Sequence, residues 1–255
     1  MIEAFGRTDV GRRRKVNEDS FLVAPESHLY AVCDGMGGHN AGEVASRMAV
    51  ETLAAFVEKS ATEKDITWPW GLDADLSFEA NRLKTAIRLA NSQVFQSADT
   101  NEEMAGMGTT IVAALVSDSL MTLGSAGDSR CYLVRDGELK QLTQDDSWVS
   151  AALGEGILNS DDVEKHPLRN VITKAVGARD TIDLDIIEHT FQDGDLALIC
   201  SDGLHGMITD DEIARILIPG PESLDAAATQ LVDAANEAGG KDNVTAVLMR
   251  YAQKG

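Results

Sequence analysis

The chain has 255 residues, 44% of them apolar, with 42 Asp and Glu against 22 Lys and Arg for a formal net charge of −20. That is long enough to bury a substantial core, yet no apolar run approaches the ~20 residues needed to span a bilayer, and the first ten residues lack the pattern of a secretory signal. So acidic a balance makes the chain a poor candidate for gripping nucleic acid, an interaction carried by Lys and Arg, and the expectation is a cytoplasmic, monomeric protein with no membrane contact.

Along the chain, Arg12-Arg13-Arg14-Lys15 is the one dense basic run. Apolar runs predict strands over residues 21–24, 29–33, 109–116, 121–125, 131–134, 182–187, 196–200 and 244–249. Those at 109–116 and 196–200 are almost continuously apolar, as strands buried on both faces are. Arg135-Asp136-Gly137-Glu138 carries a hairpin-turn signal. Helical stripes run through Val44, Met48, Ala49, Leu53 and Phe56 and through Leu83, Ile87, Ala90 and Val94. A third helix is expected over 223–237, stopped by Gly239-Gly240. Residues 60–77 read as a surface excursion whose Trp68-Pro69-Trp70 packs locally rather than docking a partner. Cys33, Cys131 and Cys200 lie in strand-like runs, unpaired in sequence, and read as core thiols. Strands and helices come in runs rather than alternating. This predicts an α+β fold of mainly antiparallel sheets flanked by helices, not a doubly wound parallel sheet.

Four aspartates stand where a strand meets a loop: Asp34 before Gly35, Asp128 after Gly127, Asp202 before Gly203, and Asp242 before the final strand. Strand ends are rigid, and carboxylates converging from them repel one another unless a cation intervenes. All-oxygen donors suit hard ions such as magnesium or manganese. Taken singly, each Asp-Gly serves equally well as a turn.

The motifs Arg14-x-x-Asn17-Glu18-Asp19, Asp34-Gly35-Met36-Gly37-Gly38-His39, Met107-Gly108-Thr109-Thr110, Gly127-Asp128-Ser129-Arg130, Ser201-Asp202-Gly203-Leu204 and Asp242-Asn243-Val244-Thr245 follow in that order. Together they resemble the PPM family, the type-2C metal-dependent serine/threonine phosphatases in their compact bacterial form, over residues 5–249. The resemblance implies hydrolysis of phosphoserine and phosphothreonine by a water bridging two Mn²⁺ or Mg²⁺ ions, with a third, weaker metal position. It implies that Asp34 bridges the ions, that the Gly35 carbonyl, Asp202 and Asp242 complete the direct ligands, and that Glu18 and Asp19 hold metal-bound waters. Asp128 would join Asp202 at the third position. Arg14 matches the arginine that binds substrate phosphate, a task suited to a planar guanidinium. Eukaryotic relatives carry a histidine two residues after the bridging aspartate; here Met36 stands there and His39 is the candidate general acid. His205 reads as structural, and His28, His166 and His189 carry no signal. The implied fold is a four-layer αββα sandwich, two mainly antiparallel sheets flanked by helices with the metal site at one end. The implied organisation is one catalytic domain over 1–255, with a flap around 144–176 that Trp148 packs against the body. Phosphoproteins and a cognate Ser/Thr kinase are the implied partners.

Two other readings compete. A phosphoesterase acting on nucleotides or nucleic acid is opposed by the acidic balance and the motif order. A non-catalytic phosphoprotein binder is opposed by the presence of Asp34, Asp202 and Asp242.

Overall fold

Side chains alternate between the two faces of a strand, and here each face meets a different core. The computed structural model describes residues 1–38, 41–63, 66–159 and 166–253. One sheet has five antiparallel strands: β1 (Ile2–Asp9), β11 (Val244–Tyr251), β10 (Leu196–Cys200), β7 (Arg130–Arg135) and β8 (Glu138–Gln141), in that spatial order. The other runs β2 (Asp19–Ala24), β3 (Leu29–Met36), β5 (Ile111–Ser117), β6 (Leu120–Ala126) and β9 (Asp185–Thr190), with the short β4 (Gly108–Thr109) pairing the end of β3.

In β3, Leu29, Ala31 and Cys33 pack under α1 (Ala41–Thr62) and α2 (Phe78–Thr100), while Tyr30 and Val32 face the opposite sheet. In β10, Leu196, Leu198 and Cys200 pack under the helices of the other side, while Ala197 and Ile199 turn inward. Those helices are α4 (Asp202–His205), α5 (Asp210–Leu217) and α6 (Leu224–Glu237). A short α3 (Trp148–Gly154) lies apart in the long connection to β9. The result is the expected αββα sandwich. Burial stabilises each large core side chain by about 1.5–3 kcal/mol, which is why β3, β5, β10 and β11, apolar on both faces, form its centre. The three cysteines are buried and free, as core thiols.

Several elements depart from the sequence reading. β1 was not anticipated: as an edge strand it is only partly buried and shows no clean alternation. β9 begins at Asp185, three residues after the predicted start; it too is an edge strand, largely exposed, so its pattern is weak. Helices α1 and α2 run further than their apolar stripes, leaving only residues 63–77 as the connection. Arg82, buried on α2, holds that junction by donating to Val57 O at 2.8 Å and to Ser60 Oγ at 3.0 Å. α5 was missed although its capping box is written in the sequence, Thr209 and Glu212 bonding each other's backbone N–H. Trp68 sits edge-on between Phe56 and Phe78, the locally packed loop expected. Trp148 stacks on His166 at 4.7 Å between ring centroids.

Candidate metal centre and active site

The strand ends named above meet at one end of the sandwich. Asp19, first residue of β2, lies directly across the ladder from Asp34 of β3. The backbone of Asp34 is clamped from the Met107–Thr110 motif: Thr110 N and Thr109 Oγ1 both donate to Asp34 O at 2.9 Å, and Asp34 N donates to Thr110 Oγ1 at 3.0 Å. Thr110 Oγ1 in turn meets Ser129 Oγ at 2.7 Å, beside Asp128. Gly35 N donates to Glu18 O at 3.1 Å. A Cβ on Gly35 would run into the carbonyls of Gly42 and Glu18, so only glycine lets three backbone segments meet there.

On the facing sheet, Asp202 opens α4 directly after Cys200 and Ser201. A Cβ on the next residue, Gly203, would strike Asn243 O, so glycine brings the Asp202 and Asp242 loops together. Asn243 is the staple of the region: its side chain donates to Val10 O and Val16 O, both at 3.0 Å, and accepts from Glu18 N at 2.8 Å.

Burial and mutual repulsion favour the protonated forms of the carboxyls at this end, and a bound cation would favour the ionised ones. Burial, then the neighbouring carboxylates Asp19, Asp202, Asp128 and Asp242, raise the pKa of Asp34 well above the carboxylate range. Burial and the Asp242 charge raise that of Asp202, whose carboxyl lies within hydrogen-bonding reach of Asp34. Burial pushes Asp128 up to about 7, reinforced by Asp202 and Asp145. Asp19 is also pushed up to about 7, chiefly by burial, although Thr245 Oγ1 and Ser201 Oγ donate to its Oδ2 at 2.6 and 2.8 Å.

Two oxygens here lack partners. Asp19 Oδ1 and Glu18 Oε1 are buried and have no hydrogen-bond partner. An orphaned buried carboxylate oxygen is costly, and carboxylate oxygens are the donors that hard cations take. Among the described residues no group of three or more His, Cys, Asp and Glu side chains is arranged to hold a metal ion. Small divalent ions that keep several waters need only one or two carboxylates each, so donors spread over Asp19, Asp34, Asp128, Asp202 and Asp242 fit such ions better than a single closed cage.

Arg14 lies at the mouth. Its Nη2 pairs with Asp242 Oδ2 at 2.6 Å, an ion pair spanning most of the chain that the sequence did not disclose. His205 is buried; its Nε2–H donates to Asp128 O at 3.0 Å, and burial followed by Arg130 pushes its pKa down to about 4. It is a neutral prop for the Asp128 loop, as expected of a structural histidine. His39 lies outside the described residues.

The segment carrying α3 is tied to the same two loops. Asp146 N donates to Gly127 O at 2.8 Å, and Thr109 and Val176 exchange bonds of 2.8 and 3.0 Å. Lys174 spans Asp146 at 2.9 Å and Asp185 at 3.3 Å. Both stalks of this segment therefore rest on residues next to Asp128 and Asp34. The polar clamps Thr109, Thr110, Ser201, Asn243 and Thr245 all fall inside the recognised motifs, but only the folded contacts reveal their tasks.

A titration follows from the raised carboxyls. The folded protein without metal binds more protons than the unfolded chain, so their stabilising contribution is complete below about pH 4 and is lost as pH rises through about 7. The melting temperature of metal-stripped protein is therefore expected to fall between about pH 5 and pH 8. Manganese is expected to restore it most at the upper end, with release of protons read as a buffer-dependent binding enthalpy. A flat profile and no proton release would contradict the cluster.

Fold and cluster together define the class of metal-dependent phosphatases to which the motif order pointed. The chain belongs to the protein phosphatase 2C family, whose sequence model matches residues 10–249. It is 37% identical to the serine/threonine phosphatase stp of Listeria welshimeri, over 98% of this chain and 96% of that one. It is also 37% identical to the serine/threonine protein phosphatase PstP of Mycobacterium tuberculosis, over 97% of this chain and 45% of that longer protein. The crystal structure of the Mycobacterium tuberculosis phosphatase PstP/Ppp matches with a TM-score of 0.85 and 34% identity, covering 99% of each chain. The PstP catalytic domain in complex with two manganese ions matches with a TM-score of 0.83 and 33% identity, again covering 99% of each.

Proposed function

We infer that this chain is a metal-dependent protein phosphatase that hydrolyses phosphoserine and phosphothreonine. The observation that carries the reading is the carboxylate cluster with its two orphaned oxygens, Asp19 Oδ1 and Glu18 Oε1, at the mouth of which Arg14 stands. In this reading Asp34, the Gly35 carbonyl, Asp202 and Asp242 would hold two ions, manganese or magnesium. Glu18 and Asp19 would hold metal-bound waters, and Asp128 with Asp202 would hold a third, weaker ion.

When bound, the ion pair supplies a water of lowered pKa and neutralises charge developing in an in-line displacement. The protein's part is placement. The Thr109–Thr110 clamp fixes Asp34, and the Ser201 and Thr245 hydroxyls hold Oδ2 of Asp19, leaving its Oδ1 without a protein partner. Arg14 presents five donors in a planar fork. With only Nη2 engaged by Asp242, the others are left for the phosphate oxygens of a substrate. The same proposal covers one catalytic domain with a flap around 144–176, a monomeric cytoplasmic protein, phosphoproteins as substrates, and a Ser/Thr kinase as counterpart. Among the described residues no helix is long and apolar enough to cross a membrane.

The test is a substrate panel with manganese present: phosphothreonine and phosphoserine peptides beside nucleotides, DNA and RNA. Phosphate release from the peptides, with little from the others, is the expected result. Preferential turnover of nucleotides or nucleic acid would replace the reading with that of a different phosphoesterase.

A further inference from the structure

The molecule carries a charge of −20, yet the segment that carries Arg14 is basic. Arg12, Arg13, Arg14 and Lys15 are all exposed, and so is Lys241, next to Asp242. The Arg12 N–H donates to Gly240 O at 2.7 Å, which seats the Arg12 backbone against the turn that leads into Lys241. Many of the protein's cations are spent on internal partners: Arg82 on Glu79, Arg130 on Asp145, Arg135 on Asp195, Lys174 on Asp146, Arg250 on Glu3. Among the described residues, Arg12, Arg13, Lys15 and Lys241 form no ion pair.

The loop that carries them is held firmly. Asn243 bonds Val10 O before the run and Val16 O after it, and Gly11 N donates to Asp9 Oδ1 at 2.8 Å. A solvated charge run needs no such anchoring at both ends. Here the anchoring fixes the backbone at both ends of the short stretch on which Arg12, Arg13 and Lys15 neighbour Arg14. A chain spans at most about 3.3–3.6 Å per residue, so residues 12–15 cover the length of two or three residues of an extended peptide.

Resting on the reading of Arg14 as the phosphate ligand, we propose that Arg12, Arg13, Lys15 and Lys241 form a subsite for acidic side chains flanking the phosphorylated residue. The protein therefore selects phosphopeptides with Asp or Glu within about three residues of the phosphothreonine. The rest of the surface repels such peptides, so the rim sets both the preference and its dependence on salt.

The experiment compares kcat/KM for phosphothreonine peptides whose flanks are acidic, neutral or basic, with manganese present. For the unaltered protein at low salt the acidic peptide is expected to exceed the neutral one by about three- to tenfold, the scale of a few exposed ion pairs. That ratio should shrink toward one at about 0.5 M salt. In R12A/R13A/K15A the ratio collapses, in R12E/R13E/K15E it turns toward the basic peptide, and in R12K/R13K it persists. Turnover of all three peptides without preference, or an acidic preference that survives R12A/R13A/K15A, overturns the subsite alone. No turnover of any peptide removes the phosphatase reading and the subsite with it.

Discussion

Asp202→Asn is expected to lower phosphate release from a phosphothreonine peptide by about 10²–10³-fold, because a lost ion position forfeits several kcal/mol of transition-state charge stabilisation. Asparagine keeps the shape of the side chain at the start of α4, and the Ser201 bridge between Asp19 and Thr245 does not depend on Asp202. The fold should therefore survive. A second readout separates loss of a ligand from general damage. In the metal-stripped protein Asp202 is a buried carboxyl repelled by Asp242, so the neutral amide relieves that repulsion. Stripped Asp202→Asn should melt at or above the temperature of the stripped unaltered protein near pH 8, and should gain much less on adding manganese. An unchanged manganese-induced gain with unchanged turnover would remove Asp202 from the site.

Arg14→Ala is expected to raise KM for the phosphopeptide by about ten- to a hundredfold, since a charge-assisted contact to phosphate contributes about 1.5–3 kcal/mol. Its ion pair with Asp242 is largely exposed, so folding stability should change by less than about 1 kcal/mol. Arg14→Lys keeps the charge but loses the fork and should recover only part of the affinity. Steady-state kinetics and a melting curve on the same preparations check both statements. Unchanged KM and kcat in Arg14→Ala would leave Arg14 as surface charge and nothing more.

The sandwich was legible in the sequence where strands are buried on both faces, as β3, β5, β10 and β11 are, because there burial alone dictates the residue types. It faded at the edges: β1 and β9 lie half in water and keep no clean alternation. The acidic residues of the candidate site could be picked out because each stands at a strand end beside a glycine or within an ordered motif. Their grouping could not, since it depends on the Asp19–Asp34 register and on Gly203 admitting the Asn243 carbonyl. The Arg14–Asp242 pair joins residues 228 apart, a distance over which no periodicity or spacing speaks. Asn243 is the clearest lesson: it was read as part of a motif, and its work of tying the basic loop to the Asp242 loop appears only in the folded contacts.

The measurement that tests the central claim most directly is phosphate release from a phosphothreonine peptide by metal-stripped protein, with and without added manganese. Release that begins only when manganese is added is the predicted result. Equal release without any divalent cation, or none by folded protein to which manganese has bound, would contradict it.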